Sequence, residues 1–213
     1  MTSFAILLFA FAVLAGIANL VADYRGPRWL VYVAKPLTTT LLLVAAASMH
    51  TGDRRYQLAI LAGLACSLAG DVFLMLPRDH FIAGLASFLV AHIAYIIAFT
   101  RGTSFASRPL LLLPYAIAAG TVLTILWPHL GKLKLPVAVY VAVIVVMAWQ
   151  AATRADVHPA IATCAAAAGA ALFVISDTTL AIDRFGKPFR AAQAIVMSTY
   201  VAAQMLIAFS VAG

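Results

Sequence analysis

Charge is scarce in this chain: 10% of its 213 residues are Asp, Glu, Lys or Arg, against 65% hydrophobic. A soluble globular domain carries about a quarter of its residues as charges, so that class is excluded. Cysteine is nearly absent, and Cys66 and Cys164 both fall inside apolar runs. A disulfide scaffold and a thiolate metal cluster find no support there. The four loop histidines, His50, His80, His129 and His158, lack ligand spacing, so no zinc centre is expected, and no cofactor is implied. Neither a GxSxG elbow nor a phosphate loop occurs, which removes the motif basis for a serine esterase or a nucleotide enzyme. Alternating apolar and polar strands are missing too, which disfavours a barrel.

What the chain has instead is apolar length. Mean hydropathy is +1.04, and a spanning helix needs about 20 mostly apolar residues. On that ruler eight runs appear, at roughly 4–22, 30–49, 57–76, 81–99, 110–127, 136–152, 160–182 and 189–212. The expectation is an all-α polytopic membrane protein, one eight-helix transmembrane domain over residues 1–213. The first run has no Lys or Arg before it and is too long for a signal-peptide core, so it reads as a retained helix.

Let side A be the face holding the N-terminus. Side B loops then carry Arg25, Arg28, Arg78, Lys132, Lys134, Arg184, Lys187 and Arg190, against Arg54, Arg55, Arg101, Arg108 and Arg154 on side A. This bias makes side B cytoplasmic. The net charge of +7 suits anionic lipid headgroups, and with no basic domain it does not indicate nucleic acid.

Ionisable residues inside spans are costly and usually functional. Asp71 in the third run and Asp177 in the seventh are such residues, and Lys35 in the second is another. Each lies about five residues from the side B end of its run, roughly 7 to 8 Å deep at 1.5 Å per residue. Tyr140 and Gln193 enter from the same side to nearly that level, whereas His92 and Tyr200 lie near the midplane. Gly84, Phe88, His92, Tyr95 and Phe99 form one helical stripe, and Gln193, Met197, Tyr200 and Gln204 a second. Lipid cannot satisfy the polar tips on these stripes, so both are expected to face a polar pocket open to side B. For the aspartates the bland alternative is a structural ion pair, with Lys35 as the partner of one of them.

An internal echo relates the halves. VYVAK at 31–35 answers VYVAV at 139–143, and the AGDVFL around Asp71 answers the ISDTTL around Asp177. A parallel four-plus-four duplication would make the two aspartates equivalent; chance accounts equally for matches this short.

Taken together, Gly70-Asp71, Gly84-Leu85, Phe88, His92-x-x-Tyr95, Lys35-Pro36, Phe173-x-x-Ser176-Asp177 and Tyr200 resemble the signature of the YhhN family of lysoplasmalogenases. That resemblance runs nearly end to end. It implies an eight-helix membrane enzyme that cleaves the vinyl-ether bond of lysoplasmalogens, releasing a fatty aldehyde and glycerophosphoethanolamine or glycerophosphocholine.

Vinyl-ether hydrolysis starts with protonation of the β-carbon and passes through an oxocarbenium ion that water attacks. A carboxyl group in apolar surroundings beside a second carboxylate keeps its proton near neutral pH and suits that step. The second carboxylate then stabilises the cation and activates water, as in glycoside hydrolysis. The resemblance therefore implies Asp71 and Asp177 as the acid/base pair, in either order. Lys35 is a candidate for holding the substrate phosphate or tuning an aspartate, with a snorkelling lysine as the alternative. His92 suits a proton relay or a water orienter, or plain core packing. Tyr95, Tyr140 and Tyr200 suit a headgroup site, with Gln193 and Ser176 as further substrate contacts, although Ser176 also suits a bond to its own helix backbone. The expected partners are the lysophospholipid substrate and membrane lipids, and the expected place is a bacterial inner membrane. A small proton-coupled transporter or lipid carrier is the alternative function, and it would need access from both sides.

Overall fold

The computed structural model describes residues 2–213 and is helical throughout its ordered elements. The helices are α1 (Ser3–Arg25), α2 (Arg28–Ser48), α3 (Arg54–Met75), α4 (Phe81–Phe99), α5 (Leu113–Leu126), α6 (Lys134–Val157), α7 (Ile161–Phe185) and α8 (Ala192–Phe209). Among the described residues eight helices, α5 counted with its flanking turns, are long and apolar enough to cross a membrane. The chain is thus an integral membrane protein of the all-α class. The spans coincide with the apolar runs, and several ends extend past them into flanking charged residues, as at Arg25, Arg28, Arg54 and Lys134, whose long stems suit the interface.

Helix ends carry their own chemistry. Asp53 caps α3 by accepting the Tyr56 N–H at 3.0 Å, and Thr2 caps α1 through the Ala5 N–H at 3.2 Å. Prolines at 109, 114 and 128 bracket α5, which is therefore a short α-helix between 3-10 turns. Helix α6 continues beyond the expected 152 to Val157, and its last three turns bond the α4–α5 connection. The indole N–H of Trp149 donates to the Arg108 carbonyl at 2.8 Å, the Gln150 amide to the Phe105 carbonyl at 2.8 Å, and Arg154 to the Arg101 carbonyl.

Packing follows a ring. Helix α1 lies on α2, α2 on α3, α3 on α4, α4 on α6, α6 on α7, α7 on α8, and α8 closes the ring on α1 while also touching α2 and α3. Helix α5 stands outside against α6 and α7 and fully buries only Leu126; Val122 and Leu123 pack beside it, and the exposed Leu113, Ile117 and Ile125 face lipid. Close approach of α3 and α4 depends on glycine. A Cβ on Gly63 would sit 2.2 Å from the Tyr95 ring, and one on Gly70 2.6 Å from the Phe88 ring. These two glycines seat the aromatic stripe of α4 directly beside Asp71.

Candidate active site

Asp71 lies on the inner face of α3 and is 1% exposed. A buried carboxylate is costly unless paired and hydrogen-bonded, and here both conditions are met. The Lys35 Nζ stands 3.6 Å from Oδ1, while the hydroxyls of Thr39 and Tyr200 each donate to Oδ2 at 2.7 Å. Lys35 and Thr39 are one turn apart on α2, so a single helix face presents both. Pro36 has no N–H to donate, which frees the α2 ladder beside Lys35.

Behind Tyr200 the donors run in one direction. The Tyr95 hydroxyl donates to Gln204 Oε1 at 2.8 Å, and the Gln204 amide donates to the Tyr200 oxygen at 3.2 Å. Tyr200 then donates to Asp71, so each link orients the next donor towards the carboxylate.

Asp177 has a different setting. The Tyr140 hydroxyl donates to its Oδ2, and His92 Nε2 lies 4.0 Å from the same oxygen. His92 is fully buried, and neither ring nitrogen has a hydrogen-bond partner among the described residues. Its ring packs edge-on against Phe173 at 4.7 Å and Tyr140 at 5.2 Å between centroids. Phe173 in turn meets Tyr200 at 5.5 Å, and Phe88 meets both Phe173 and Tyr200. These aromatic rings lie between the Tyr200 and His92 ends of the polar layer.

Two cavities adjoin this layer. A vestibule of about 790 Å³ opens at side B; its walls include Asp23, Arg28, Lys35, Arg78, Asp79, Arg184 and Gln193. A smaller chamber of about 80 Å³ is apolar, walled by residues such as Leu85, Val122, Val137, Ile144 and Phe185, with Asp177 and Tyr140 as its polar groups apart from Thr178. Leu74, Phe81 and Leu180 line both spaces. A polar mouth therefore meets an apolar slot at an aromatic and aliphatic junction, and a carboxyl group stands in the slot wall. At the opposite end, Arg101 bonds Asp53 at 2.6 Å and Arg108 bonds Asp156 at 2.5 Å, and His158 meets the Gly102 carbonyl at 2.9 Å. The side A end is stitched across the α4–α5 connection.

The residues anticipated from sequence divide into groups. Lys35 and Tyr200 each meet Asp71, Asp177 meets Tyr140 with His92 close by, and Tyr95 joins the first set through Gln204. Two others depart from the expected depth or contact. Gln193 is exposed at the vestibule mouth, where its amide donates to Asp23 at 2.9 Å. Helix α8 starts at Ala192 rather than 189, after a turn in which the Phe189 N–H donates to Asp183, so Gln193 sits in the first helical turn. Ser176 donates to the Val196 carbonyl of α8 at 3.1 Å, across the helix pair rather than along its own backbone. Thr39 is absent from the sequence reading, and Gln204 enters it only as a member of the pocket-facing stripe of the eighth run. Each is four residues from an anticipated site residue, and that spacing was the available signal.

The sequence profile described as the YhhN family matches residues 30–211. An Escherichia coli O157:H7 protein named "Uncharacterized membrane protein YhhN" is 33% identical over 189 residues, covering 87% of this chain and 89% of the relative. "Lysoplasmalogenase TMEM86A" of Bos taurus is 39% identical over 159 residues, covering 71% of this chain and 64% of the relative. "Lysoplasmalogenase TMEM86B" of Homo sapiens is 36% identical over 156 residues, covering 73% and 64%. No solved structure matches the chain.

Proposed function

This chain belongs to the YhhN family, and from that premise we propose that it is a membrane hydrolase that cleaves the vinyl-ether bond of lysoplasmalogens. The observation that carries the reading is the place of Asp177, a carboxyl group in the wall of an apolar slot that shares Leu74, Phe81 and Leu180 with the wall of a basic vestibule. The headgroup of a single-chain lipid fits the vestibule, and the slot of about 80 Å³ has room for only the few chain carbons next to the ether. Substrate binding at a junction of this kind brings the bond next to the glycerol beside the carboxyl group.

In this reading Asp177, whose hydrogen-bond donor is Tyr140, gives its proton to the β-carbon of the vinyl ether. Electron flow from the ether oxygen leaves an oxocarbenium ion. Asp71, held by Lys35, Thr39 and Tyr200, supplies fixed negative charge to that cation. Water then adds to the cation and returns a proton to a carboxylate, and the hemiacetal collapses to a fatty aldehyde and a glycerophospho-alcohol. His92, with two unpaired ring nitrogens near Asp177, orients the water. The side B opening faces the cytoplasm of a bacterial inner membrane, and a parallel four-plus-four duplication would make Asp71 and Asp177 counterparts.

The transporter alternative needs a second route, and the ion pairs and loop bonds across side A weigh against it. The test is aldehyde release from lysoplasmenyl-ethanolamine by the purified protein, beside an ester lysophospholipid. Aldehyde from the vinyl ether is the expected result; turnover of neither lipid removes the hydrolase reading.

A further inference from the structure

The vestibule is more basic than the hydrolase chemistry requires. Four cations line it, Arg28, Lys35, Arg78 and Arg184, against two carboxylates, Asp23 and Asp79. Arg184 is committed to Asp79 at 2.6 Å, and its guanidinium lies over the Phe81 ring at 5.1 Å. Lys35 is committed to Asp71. Among the described residues, Arg28 and Arg78 have no carboxylate within ion-pair distance and no side-chain hydrogen bond. Asp23 forms an ion pair with neither, and its carboxylate accepts from the Gln193 amide.

We propose that Arg28 and Arg78 form a clamp for the phosphodiester of a lipid headgroup, and that Lys35 takes no part in holding the phosphate. The proposal rests on the hydrolase reading and adds to it the site that selects phosphorylated lipids over neutral alkenylglycerols. Arg28 opens α2 and Arg78 lies in the α3–α4 connection, so the two arginines line one cavity from separate elements. Planar guanidinium forks suit phosphate oxygens, and a second fork from another element fixes the orientation of the group. The volume of about 790 Å³ is ample for a glycerophospho headgroup. A phosphate held there leaves the glycerol at Leu74, Phe81 and Leu180, where the vestibule meets the slot containing Asp177. The Arg184–Asp79 pair holds the α3–α4 connection to the end of α7 and steadies Phe81 at that junction.

The experiment measures binding of two saturated ethers that the chemistry above cannot cleave, a 1-alkyl lysophosphatidylethanolamine and a 1-alkylglycerol, to the purified full-length protein in detergent. Arg28→Ala/Arg78→Ala is expected to bind the phospholipid at least about tenfold more weakly and the alkylglycerol within about twofold of the parent. Arg28→Lys/Arg78→Lys is expected to recover part of the phospholipid affinity, since charge remains without the fork. Equal loss for both ligands, or no loss for either, overturns the clamp. Displacement of the phospholipid by inorganic phosphate at concentrations that match its own affinity makes this a free-anion site and overturns the lipid assignment. Parallel aldehyde assays separate the two readings. Turnover by the parent with unselective binding by the variants sinks the clamp alone, while selective binding without turnover sinks the hydrolase reading and leaves a headgroup site.

Discussion

Lys35 Nζ and Asp71 Oδ1 stand 3.6 Å apart beneath the vestibule, with the lysine 14% exposed and the aspartate 1% exposed. The pair joins α2 to α3 at the depth where the cavity ends. Removing one member strands a charge that has lost most of its water. Lys35→Met should therefore destabilise the protein by about 3 kcal/mol, whereas Lys35→Met/Asp71→Asn should recover much of that loss. Thermal unfolding in detergent checks it, and a single variant as stable as the parent would show that the pair does not hold Asp71.

Tyr200 connects Asp71 to the donors behind it. Tyr200→Phe removes one charge-assisted bond and keeps the ring against Phe88 and Phe173. Turnover number should fall by at least about tenfold with little change in KM, and Tyr95→Phe, two links further away, should cost less. Steady-state aldehyde production from lysoplasmenyl-ethanolamine separates the two constants.

Gly63 leaves room for the Tyr95 ring, which is fully buried. Gly63→Ala forces that ring to move and disturbs its bond to Gln204. A loss of about 1–3 kcal/mol is expected from overpacking. The same exchange at Gly120 on the lipid-facing α5 meets no atom within 4 Å and should be tolerated. Paired melting curves of the two variants test this contrast.

At the side A rim, the hydrogen bond from Arg101 holds the Asp53 carboxyl below its ordinary value of 3.8, helped by the Tyr56 N–H that it caps. A carboxyl group whose folded value is lowered stabilises the fold above its unfolded value and loses that contribution as pH falls through the folded one. The parent should thus exceed Asp53→Asn in melting temperature near neutral pH, and the gap should close as pH falls below the ordinary carboxylate range. A gap that is constant with pH would assign the effect to the cap geometry alone.

The spans were legible because each is a long apolar run bounded by short charged connections. Membrane backbone must be helical when no strand pattern is present. Depth was legible in part: Lys35 and Asp71 count to similar distances from side B and do meet, whereas Asp177 lies eight residues before Phe185, the end of α7, rather than about five from the end of its run. An ion pair of Lys35 with one aspartate was legible as an alternative, but which aspartate, and the partner of the other, were not, because helices such as α3 and α6 are apolar on nearly every side, and periodicity then gives no rotation. Lys35 with Asp71 and Tyr140 with Asp177 depend on that rotation. Gln193 lies at a different depth for another reason: the turn before α8 contains Pro188 and is closed by the Phe189 N–H donating to the Asp183 carboxylate, so the apolar run begins before the helix does. Arg28 and Arg78 read as ordinary interfacial charges until the cavity brought them together.

The central claim is that Asp177 donates the proton that opens the vinyl ether. The most direct measurement is fatty aldehyde release from lysoplasmenyl-ethanolamine by the purified parent and by Asp177→Asn, with folding of both verified by melting curves. The account predicts release by the parent and a folded variant whose rate falls at least about a hundredfold. A folded Asp177→Asn protein that releases aldehyde at the parental rate would contradict it.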